Sequence, residues 1–546
     1  MNRLGAYVLL LAAIACTTKE EVGTSDARLV TEGTVVGVDN PTFSSSGTAQ
    51  DFNLGATYSL IGSSPTSSSP IWFVAYEDHT SAAPKTTLGW ATASTALSGG
   101  FTTCFDNAGS CNSIDKTGIT FDHWATNPQP TAAGNGTGLV FAAAVYASTS
   151  LLDHDQVMLM MDDTGGDHLG QSSGQAISVT DGAADGCDTG EMRAPYVTVD
   201  STAFPGTPLI YVVWGRKGSG SWGACIRSFS VALNTLITDG PVSAGHGVGS
   251  LDREGFNDGQ GGLIAQAADG MVSVAYTNQD NVPSTTSGCS SNTGLAWEMT
   301  SSSDGSHWAT SSTIVHTSSF DWCALRTTPG TDSTAKVIKR LREYDFVLSS
   351  GGISYVAVND TAQTIRLYMS ATRGIKIPNM NATNDSPWRE FCPTVTHGSG
   401  VVVNWTDPGD PCPNALVAPS TDVFRPMLTV DGNGQLSLAW WQRDDGMLHG
   451  PAFAKLMYIG NVLPRLGTAT DPWQPSSSTP QVLQGAFDPA VGGLDKHDAL
   501  GWYQTMPSTR SSYNECSGAT DIEAYWTNPS FNGLQNIFTA PITLTP

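Results

Sequence analysis

Apolar residues in this chain alternate with polar ones or form short runs, and helical spacing is almost absent. A strand of small and aromatic residues recurs roughly every 70 residues, ending at Tyr76, Tyr146, Trp214, Tyr276, Val358, Trp440 and Trp502. A second strand follows each one, as in TLGWAT from Thr87, and most are preceded by another, as in APYVTVD from Ala194. Turn sequences such as DGNG lie between them. The pattern predicts seven modules of three or four antiparallel strands.

Repeated modules of this size predict an all-β fold, a single β-propeller with one four-stranded antiparallel blade per module. We count seven blades, and six blades with one module as an insertion is the alternative. A two-sheet sandwich does not fit, because it places about seven strands in ~100 residues. We predict that the final strand, FTAPITLTP, and an early strand around Leu29–Val38 close the ring.

The first residues have the features of an export signal. A basic start, Met1-Asn2-Arg3, precedes an apolar stretch that is too short to span a membrane. Ala13-Ile14-Ala15-Cys16 resembles the bacterial lipobox, although Ala13 stands where that family usually has leucine. The resemblance implies a signal peptide over residues 1–15, a lipidated Cys16 with a tether over 16–40, and a propeller domain over 41–546. An ordinary signal peptide cut near Ala15 is the alternative.

The lipobox resemblance also implies a location. A lipoprotein with Thr17 after the acylated Cys16 is expected in the outer membrane of a bacterial cell envelope, facing the periplasm or the surface. The membrane is then contacted only through the lipid anchor. Beyond the first 15 residues, no apolar run approaches the ~18 residues of a membrane span.

The net charge of the chain restricts the classes of molecule that it can bind. The chain has 25 Lys and Arg against 49 Asp and Glu, a formal net charge of −24. Nucleic acid and anionic lipid surfaces would be repelled, so we expect neither as a partner. We expect a monomer that takes a glycan or protein ligand.

The cysteines fit an oxidising compartment. Besides Cys16 there are nine, and sequential pairing gives Cys104–Cys111, Cys187–Cys225, Cys289–Cys323 and Cys392–Cys412, with Cys516 left over. Sequence cannot fix the connectivity, so other pairings stay open. The chain has no CxxC or HExxH motif, so we expect no zinc site.

A turn motif carries a family resemblance. Ser302-Ser303-Asp304-Gly305-Ser306-His307-Trp308 resembles the Asp box of the sialidase-like propeller superfamily, S-x-D-x-G-x-x-W, with one residue fewer before the tryptophan. In that family the aspartate caps a turn between the third and fourth strands, and the tryptophan packs between blades. The motif therefore indicates a fold and gives no information about activity.

Arginines recur at the start of the modules. Four successive modules carry one near their first strand, and a fifth follows a second strand: Arg193, Arg253, Arg342, Arg425 and Arg443. Guanidinium groups hold carboxylates bidentately. In sialidases three arginines hold the substrate carboxylate, so the resemblance implies an acidic sugar here. The alternative is that each arginine pairs with a neighbouring acid as an ordinary ion pair.

The same resemblance suggests catalytic residues. A tyrosine paired with a glutamate is the nucleophile of sialidases and an aspartate is the acid/base. Glu343 and Tyr344 would supply the pair, since a nearby carboxylate can activate a phenol. Phe424-Arg425-Pro426, followed by Asp444, resembles the family's F-R-I-P segment and its aspartate, but it lacks the isoleucine and lies in the sixth module.

The sequence has two further candidate features, an acidic turn and a group of tryptophans. Asp162, Asp163 and Asp167 form an oxygen-rich turn that could hold Ca²⁺ or be a plain hairpin turn. Tryptophans in Gly/Ser/Pro-rich stretches are either sugar-stacking or packing residues: Trp124, Trp222, Trp388 and Trp473.

The sequence thus leaves two functions open. The first is an envelope-anchored lipoprotein whose propeller binds glycan or protein partners at its mouth, without a cofactor. The second is a carbohydrate-active enzyme, a sialidase-like hydrolase or a polysaccharide lyase, that acts on acidic glycans.

Overall fold

The computed structural model of the chain describes most of its strands and the turns between them. The described residues are 30–32, 36–37, 50–61, 69–79, 86–93, 102–105, 123–124, 131–134, 138–147, 156–163, 169–170, 174–201, 207–218, 221–251, 263–279, 293–304, 307–320, 323–324, 338–339, 343–349, 352–361, 363–376, 386–396, 400–406, 415–417, 421–430, 436–443, 454–460, 480–487, 520–531 and 534–544. The search for an apolar helix of membrane-spanning length over these residues finds none.

Every regular element in the described part of the chain is a β-strand, which confirms the all-β prediction. In chain order the strands are β1 (Val30–Glu32), β2 (Val36–Gly37), β3 (Gln50–Ile61), β4 (Ser69–His79), β5 (Thr86–Ala93), β6 (Thr102–Phe105), β7 (His123–Trp124), β8 (Thr131–Gly134), β9 (Val140–Ala147), β10 (Gln156–Asp162), β11 (Ala176–Ser178), β12 (Glu191–Asp200), β13 (Leu209–Lys217), β14 (Trp222–Ala232), β15 (Thr235–Thr238), β16 (His246–Leu251), β17 (Leu263–Ala268), β18 (Met271–Gln279), β19 (Thr293–Ser302), β20 (Ser312–Phe320), β21 (Cys323–Ala324), β22 (Ile338–Lys339), β23 (Tyr344–Leu348), β24 (Ser354–Thr361), β25 (Thr364–Ser370), β26 (Arg389–Thr396), β27 (Gly400–Thr406), β28 (Val423–Val430), β29 (Leu436–Arg443), β30 (Ala454–Ile459), β31 (Gln481–Phe487), β32 (Thr520–Phe531) and β33 (Leu534–Leu544).

Hydrogen bonding joins these strands into successive antiparallel sheets of four or five strands. They are sheet 1 (β3 to β6), sheet 2 (β7 to β11), sheet 3 (β12 to β16), sheet 4 (β17 to β20), sheet 5 (β23 to β27), sheet 6 (β28 to β31) and sheet 7 (β32 and β33 with β1 and β2). Strands β21 and β22 pair only with each other. The recurring sequence strands coincide with β4, β9, β13, β18, β24 and β29, and the one ending at Trp502 lies outside the described residues.

The first strands of sheets 3 to 6 lie side by side. Asp200, at the end of β12, accepts from the N–H of Gly270 just after β17, and Arg373 donates to the carbonyls of Ala268 at the end of β17 and Gly352 just after β23. Along β23 and β28, Glu343 and Asp345 accept in turn from the N–H groups of Arg425 and Leu428. These strands therefore run in the same direction, as the inner strands of propeller blades do. The carboxylates also satisfy backbone N–H groups that an edge strand would otherwise leave exposed.

The hydrophobic core lies between consecutive sheets. Strand β13 shows the arrangement, because Tyr211 and Val213 pack toward sheet 4 whereas Ile210, Val212 and Trp214 pack toward sheet 2. Two further clusters lie between sheets 4 and 5 and between sheets 5 and 6. A strand that is buried on both faces needs apolar residues at successive positions. This explains why IYVVW reads as a continuous apolar run.

The two ends of the described chain meet in sheet 7. Strand β33 pairs with β1, opposing Val30 to Leu544, and with β2, opposing Val36 to Thr539. The predicted partnership of an early and a final strand is therefore confirmed. The number of blades and the closure of the ring stay predictions.

Buried arginines join neighbouring sheets. Arg373, in the turn after β25 of sheet 5, donates through Nη1 to the carbonyls of Ala268 (2.8 Å) and Met271 (3.3 Å) in sheet 4. Its Nε also donates to the carbonyl of Gly352 (3.4 Å). Arg227 of β14 makes an equivalent set of bonds to three carbonyls, those of Val179, Asp181 and Ser243. Each guanidinium thus fixes backbone carbonyls of more than one segment.

One predicted disulfide is present. Cys187, in the segment between β11 and β12, is bonded to Cys225 of β14, with their Cα atoms 5.9 Å apart. Both residues are buried in the cluster between sheets 2 and 3. The side chains of the other cysteines, from Cys104 to Cys516, lie outside the described part of the structure.

Buried tyrosines make the fold sensitive to alkali. Burial raises the pKa of Tyr276 to about 12, the charge of Glu298 adds to this, and a hydrogen bond with Ser311 opposes it. An unfolded tyrosine ionises near pH 10, so the stabilisation is complete below pH 10 and is lost as the pH rises to 12. The expected loss is about 2.7 kcal/mol at ~1.36 kcal/mol per pH unit.

Urea unfolding at pH 8 and at about pH 11.5 measures this loss. Tyr276→Phe removes the ionisable group, so its free energy of unfolding should fall less between the two pH values than that of the wild type. Equal losses in the two proteins would assign the alkaline sensitivity to other groups.

Candidate functional site

Each sheet has an end at which its first strand begins and its second strand ends, which we call the upper end. The upper ends of sheets 3 to 6 lie on the same side, because their first strands run in the same direction. Three predicted ligand-binding arginines, Arg193, Arg425 and Arg443, lie at upper ends. Arg253, Arg342 and the candidate acid/base Asp444 lie outside the described residues.

The upper end of sheet 3 carries a charged cluster, the sheet 3 rim, formed by Glu191, Arg193 and Lys217. Arg193 donates to Oε1 of Glu191 through Nε (2.6 Å) and Nη2, and Nζ of Lys217 lies 3.3 Å from Oε2. Burial alone would raise the pKa of Glu191, but the two cations outweigh it and lower that pKa. One ionised carboxylate therefore holds two cations.

An aromatic ring lies beneath the rim. Glu191, Lys217 and Trp222 oppose one another in register across three strands, and Nζ of Lys217 is 5.6 Å from the centroid of the Trp222 ring. This is the geometry of a cation–π contact. Trp222 was a candidate for sugar stacking, but its side chain is buried, so it supports Lys217 from below.

The first strands of sheets 3 and 6 have the same irregularity. Ala194 (φ 50°) precedes Pro195 and Arg425 (φ 51°) precedes Pro426, each at a β-bulge. A positive φ is uncommon for a residue other than glycine, and a following proline further restricts that residue. Bulges of this kind redirect side chains near the end of a strand. Both predicted arginines of these strands, Arg193 and Arg425, lie at the bulge.

Glu343 and Arg425 meet between sheets 5 and 6. The backbone N–H of Arg425 donates to Oε2 of Glu343 at 3.0 Å, and both side chains are buried. The carbonyl of Glu343 accepts from the N–H of Asn359 (2.8 Å). Glu343 therefore fixes the bulge of β28 and the end of β24.

Tyr344 lies inside the core between sheets 4 and 5. Its hydroxyl donates to the carbonyl of Ala275 (2.8 Å), and the residue is 1% exposed. A nucleophile must reach the reacting carbon of a bound substrate. This placement does not support the predicted role of Tyr344 as a nucleophile.

Arg443 has an acidic neighbour in its own sheet. Its backbone N–H donates to the carbonyl of Asp422 (2.9 Å), and Nη1 lies 4.0 Å from Oδ2 of that residue. The predicted arginines with described side chains therefore lie in separate surroundings. Arg193 binds Glu191, Arg443 adjoins Asp422, and Arg425 is buried beside Glu343.

A second charged cluster, which the sequence pattern did not indicate, lies near the upper end of sheet 5. Arg366 donates to Oδ2 of Asp360 (3.0 Å) and to Oε1 of Glu390. Burial raises the pKa of Glu390 more than Arg366 lowers it. The signal in the sequence was a lone arginine within the apolar strand IRLYMS. Its two partners could not be inferred, because they come from different strands.

The Asp box forms a turn at the opposite end of sheet 4. Oδ1 of Asp304 accepts from the N–H of His307 (2.8 Å), and Ser302 forms a bridge with Trp308. Trp308 packs against the cluster between sheets 3 and 4. Gly305 lies outside the described residues. Asp304 therefore accepts a hydrogen bond within this turn, and Trp308 packs between sheets 3 and 4.

Sheet 5 has a related turn that the sequence motif did not reveal. Oγ of Ser370 accepts from the N–H groups of Thr372 (3.3 Å) and Gly374 (2.8 Å). Trp388 is buried between sheets 4 and 5 and donates to Oγ of Ser312 (3.0 Å). The sequence motif did not identify this turn for two reasons. Thr372 stands where the motif has aspartate, and Trp388 lies well beyond the turn in the sequence. Trp388, another stacking candidate, is thus a packing residue.

The Ca²⁺ candidate is described only in part. Asp162 is buried, Asp163 accepts from the amide of Gln175 (3.1 Å), and Asp167 lies outside the described residues. The described residues contain no group of three or more side chains suited to a metal.

Comparison with known proteins found no matching family model and no matching curated protein. Among solved structures, a protein of unknown function from Dyadobacter fermentans has a TM-score of 0.37 at 8% identity, covering 95% of this chain and 99% of that one. Trypanosoma rangeli sialidase in complex with 2,3-difluorosialic acid has a TM-score of 0.34 at 12% identity, covering 80% and 56%. The parainfluenza virus 5 hemagglutinin-neuraminidase ectodomain has a TM-score of 0.34 at 9% identity, covering 99% and 94%. Similarities this low assign no activity to this chain.

Proposed function

We propose that this chain is a binding protein without catalytic activity. It is a sialidase-like propeller of seven blades, anchored in the bacterial outer membrane through a lipid on Cys16, that binds a glycan at the upper ends of its sheets. A protein ligand is the other outcome for the same surface. The proposal on the anchor depends on the sequence alone.

The arrangement of the charged groups is the main support for a binding role. Hydrolysis of an acidic sugar by the sialidase mechanism needs several arginines on one carboxylate and an accessible tyrosine beside a glutamate. Arg193 and Arg443 each adjoin an acid of their own sheet. Tyr344 is buried, and its hydroxyl donates to a backbone carbonyl.

One observation favours the enzyme as a second candidate. Glu390 is largely buried beside Asp360 and Arg366, and burial raises its pKa. A raised pKa is the direction of shift that a general acid requires. In this hypothesis Glu390 would donate the proton and Asp360 would act as the base.

A Cys16→Ser protein tests both the anchor and the function. We expect the substitution to move the protein from the membrane fraction to the soluble fraction. The soluble protein should bind one or more glycans on an array and should turn over neither a fluorogenic sialoside nor uronate polysaccharides. Turnover that is lost in Glu390→Gln or Tyr344→Phe, with folding intact by near-ultraviolet circular dichroism, would replace the binding proposal with the enzyme. Absence of any glycan ligand would leave the protein-ligand outcome.

A further inference from the structure

We propose that the turn of the β14–β15 hairpin, with Leu233 at its tip, enters the surface of a membrane of uncharged lipid. This inference depends on the lipid anchor of the proposed function. It adds to that anchor a second contact with the membrane and an orientation, in which the upper ends of the sheets face away from the lipid.

The hairpin projects past the lower end of sheet 3, the end opposite the upper end. The last rung that β12, β13 and β14 share ends at Ser230 of β14. The next two residues of β14 pair with β15 alone in the described structure. Leu233 follows them in the turn, three residues beyond Ser230, which corresponds to about 10 Å of strand. The tip of this hairpin therefore points away from the proposed ligand-binding end.

Leu233 is completely exposed to solvent. Its exposed fraction is 100%, and Ile237 of the same hairpin is 37% exposed. The stretch from Ser228 to Thr238 contains no charged residue. One exposed leucine is common on protein surfaces, so the argument needs the conformation of this residue as a second observation.

The turn holds Leu233 in an unfavourable backbone conformation. Leu233 (φ 50°) and Asn234 (φ 58°) are both left-handed, as the two central residues of a type I′ turn must be. Asparagine and glycine suit these positions, whereas a leucine with positive φ is uncommon and costs free energy. A turn that only joined two strands would be more stable with asparagine at both positions. An exposed leucine in a strained position therefore indicates a contact made outside the folded chain.

The base of the hairpin is fixed to the core. Leu236 is buried in the cluster between sheets 2 and 3, and Val231 packs against the same cluster. The N–H of Leu236 also donates to the carbonyl of Gly174 (2.7 Å), in the segment before β11 of sheet 2. Because its base is already ordered, the tip loses little conformational entropy when it makes a contact.

The proposed anchor makes the membrane the apolar phase that the tip meets. Val30 follows Cys16 by fourteen positions, so an anchored chain keeps β1 within about 50 Å of the lipid. Tethering at this distance raises the local concentration of the bilayer around the protein. Burial of the leucine side chain among the lipids removes its apolar surface from water. The net charge of −24 restricts this contact to uncharged lipid, because an anionic surface repels the chain.

A tagged protein on lipid vesicles tests this inference. The Cys16→Ser protein with an N-terminal histidine tag is held on phosphatidylcholine vesicles by a nickel-chelating lipid, which replaces the native anchor. We expect hydroxyl-radical labelling of Leu233 to fall at least fivefold on the vesicles relative to the free protein. Labelling of Val482, an exposed valine of sheet 6 (46%), should change less than twofold. Adding phosphatidylglycerol to the vesicles should reduce the protection of Leu233.

Leu233→Asn and Val482→Asn are the matched variants. Asparagine removes the apolar tip and suits the left-handed backbone, so Leu233→Asn should be at least as stable in urea as the wild type. Its affinity for the nickel-bearing vesicles should fall at least fivefold, whereas Val482→Asn should change that affinity less than twofold. Equal affinities of Leu233→Asn and the wild type, or full labelling of Leu233 on the vesicles, would overturn the inference.

Two further results separate the alternatives. Protection of Leu233 that appears without vesicles as the protein concentration rises would assign the tip to a second copy of the chain and overturn the membrane contact. Cell fractionation of the wild type separates this inference from the proposed function. A wild type in the soluble fraction would contradict both the anchor and this inference. A wild type in the membrane fraction, with Leu233 still labelled on vesicles, would contradict this inference alone.

Discussion

Replacing Arg373 with methionine is expected to lower the free energy of unfolding by about 3–5 kcal/mol. The guanidinium is buried and donates to carbonyls of Ala268, Met271 and Gly352, in two sheets. Methionine fills a similar volume but leaves these carbonyls without that donor, and a buried polar group that loses its partner bears its full desolvation cost. Urea unfolding followed by tryptophan fluorescence measures the change.

Two further variants separate the guanidinium from its charge. Arg373→Lys keeps the charge but lacks the planar fork, so we expect it to recover about half of the loss. Lys376→Met removes an exposed lysine from the adjoining segment and should change stability by no more than about 0.5 kcal/mol. A loss of less than about 1 kcal/mol in Arg373→Met would show that water replaces the guanidinium at these carbonyls.

Removing the Cys187–Cys225 disulfide, as the double alanine variant, is expected to lower the free energy of unfolding by about 4 kcal/mol. The bond spans 38 residues, and this loop length sets the entropy that the unfolded chain regains. It ties the segment before β12 to β14, so hydrogen exchange should increase most over residues 180–190. Urea unfolding of the oxidised wild type and the double variant measures the difference.

The wild type treated with reductant is the control. Both sulfurs are buried, so we expect reduction to be slow until the protein is unfolded in urea. The free energy of unfolding of the wild type, measured in urea with reductant, should then equal that of the double variant. A difference of less than 1 kcal/mol between the oxidised wild type and the variant would mean that packing between sheets 2 and 3 already restrains this segment.

The strands and their succession could be predicted because the fold repeats a simple pattern. Each module needs apolar residues on both faces of its second strand, so IYVVW and LSLAW are conspicuous in the sequence and appear as β13 and β29. The pairing of β1 with β33 was predictable because two unmatched strands were left at the ends.

The partners of charged side chains were beyond prediction. Arg193 was expected to share a ligand with other arginines, but its partner Glu191 is two residues away and Lys217 joins them from the next strand. Arg373 donates to Ala268, 105 residues earlier in the chain. Such contacts depend on how the sheets are stacked and on turn geometry, which the periodicity of apolar residues does not encode.

The pairing of β1 with β33 bears on the order in which the chain can fold. Val30 opposes Leu544, so sheet 7 cannot be completed until the chain has been synthesised as far as Leu544. Contacts between residues so distant in sequence form slowly, since the entropy of closing a long loop must be overcome first. Until then the edge of β33 has no N-terminal partner, and an unpaired edge favours association with other chains. The last step of folding is thus the step at which a newly made molecule is most exposed to aggregation.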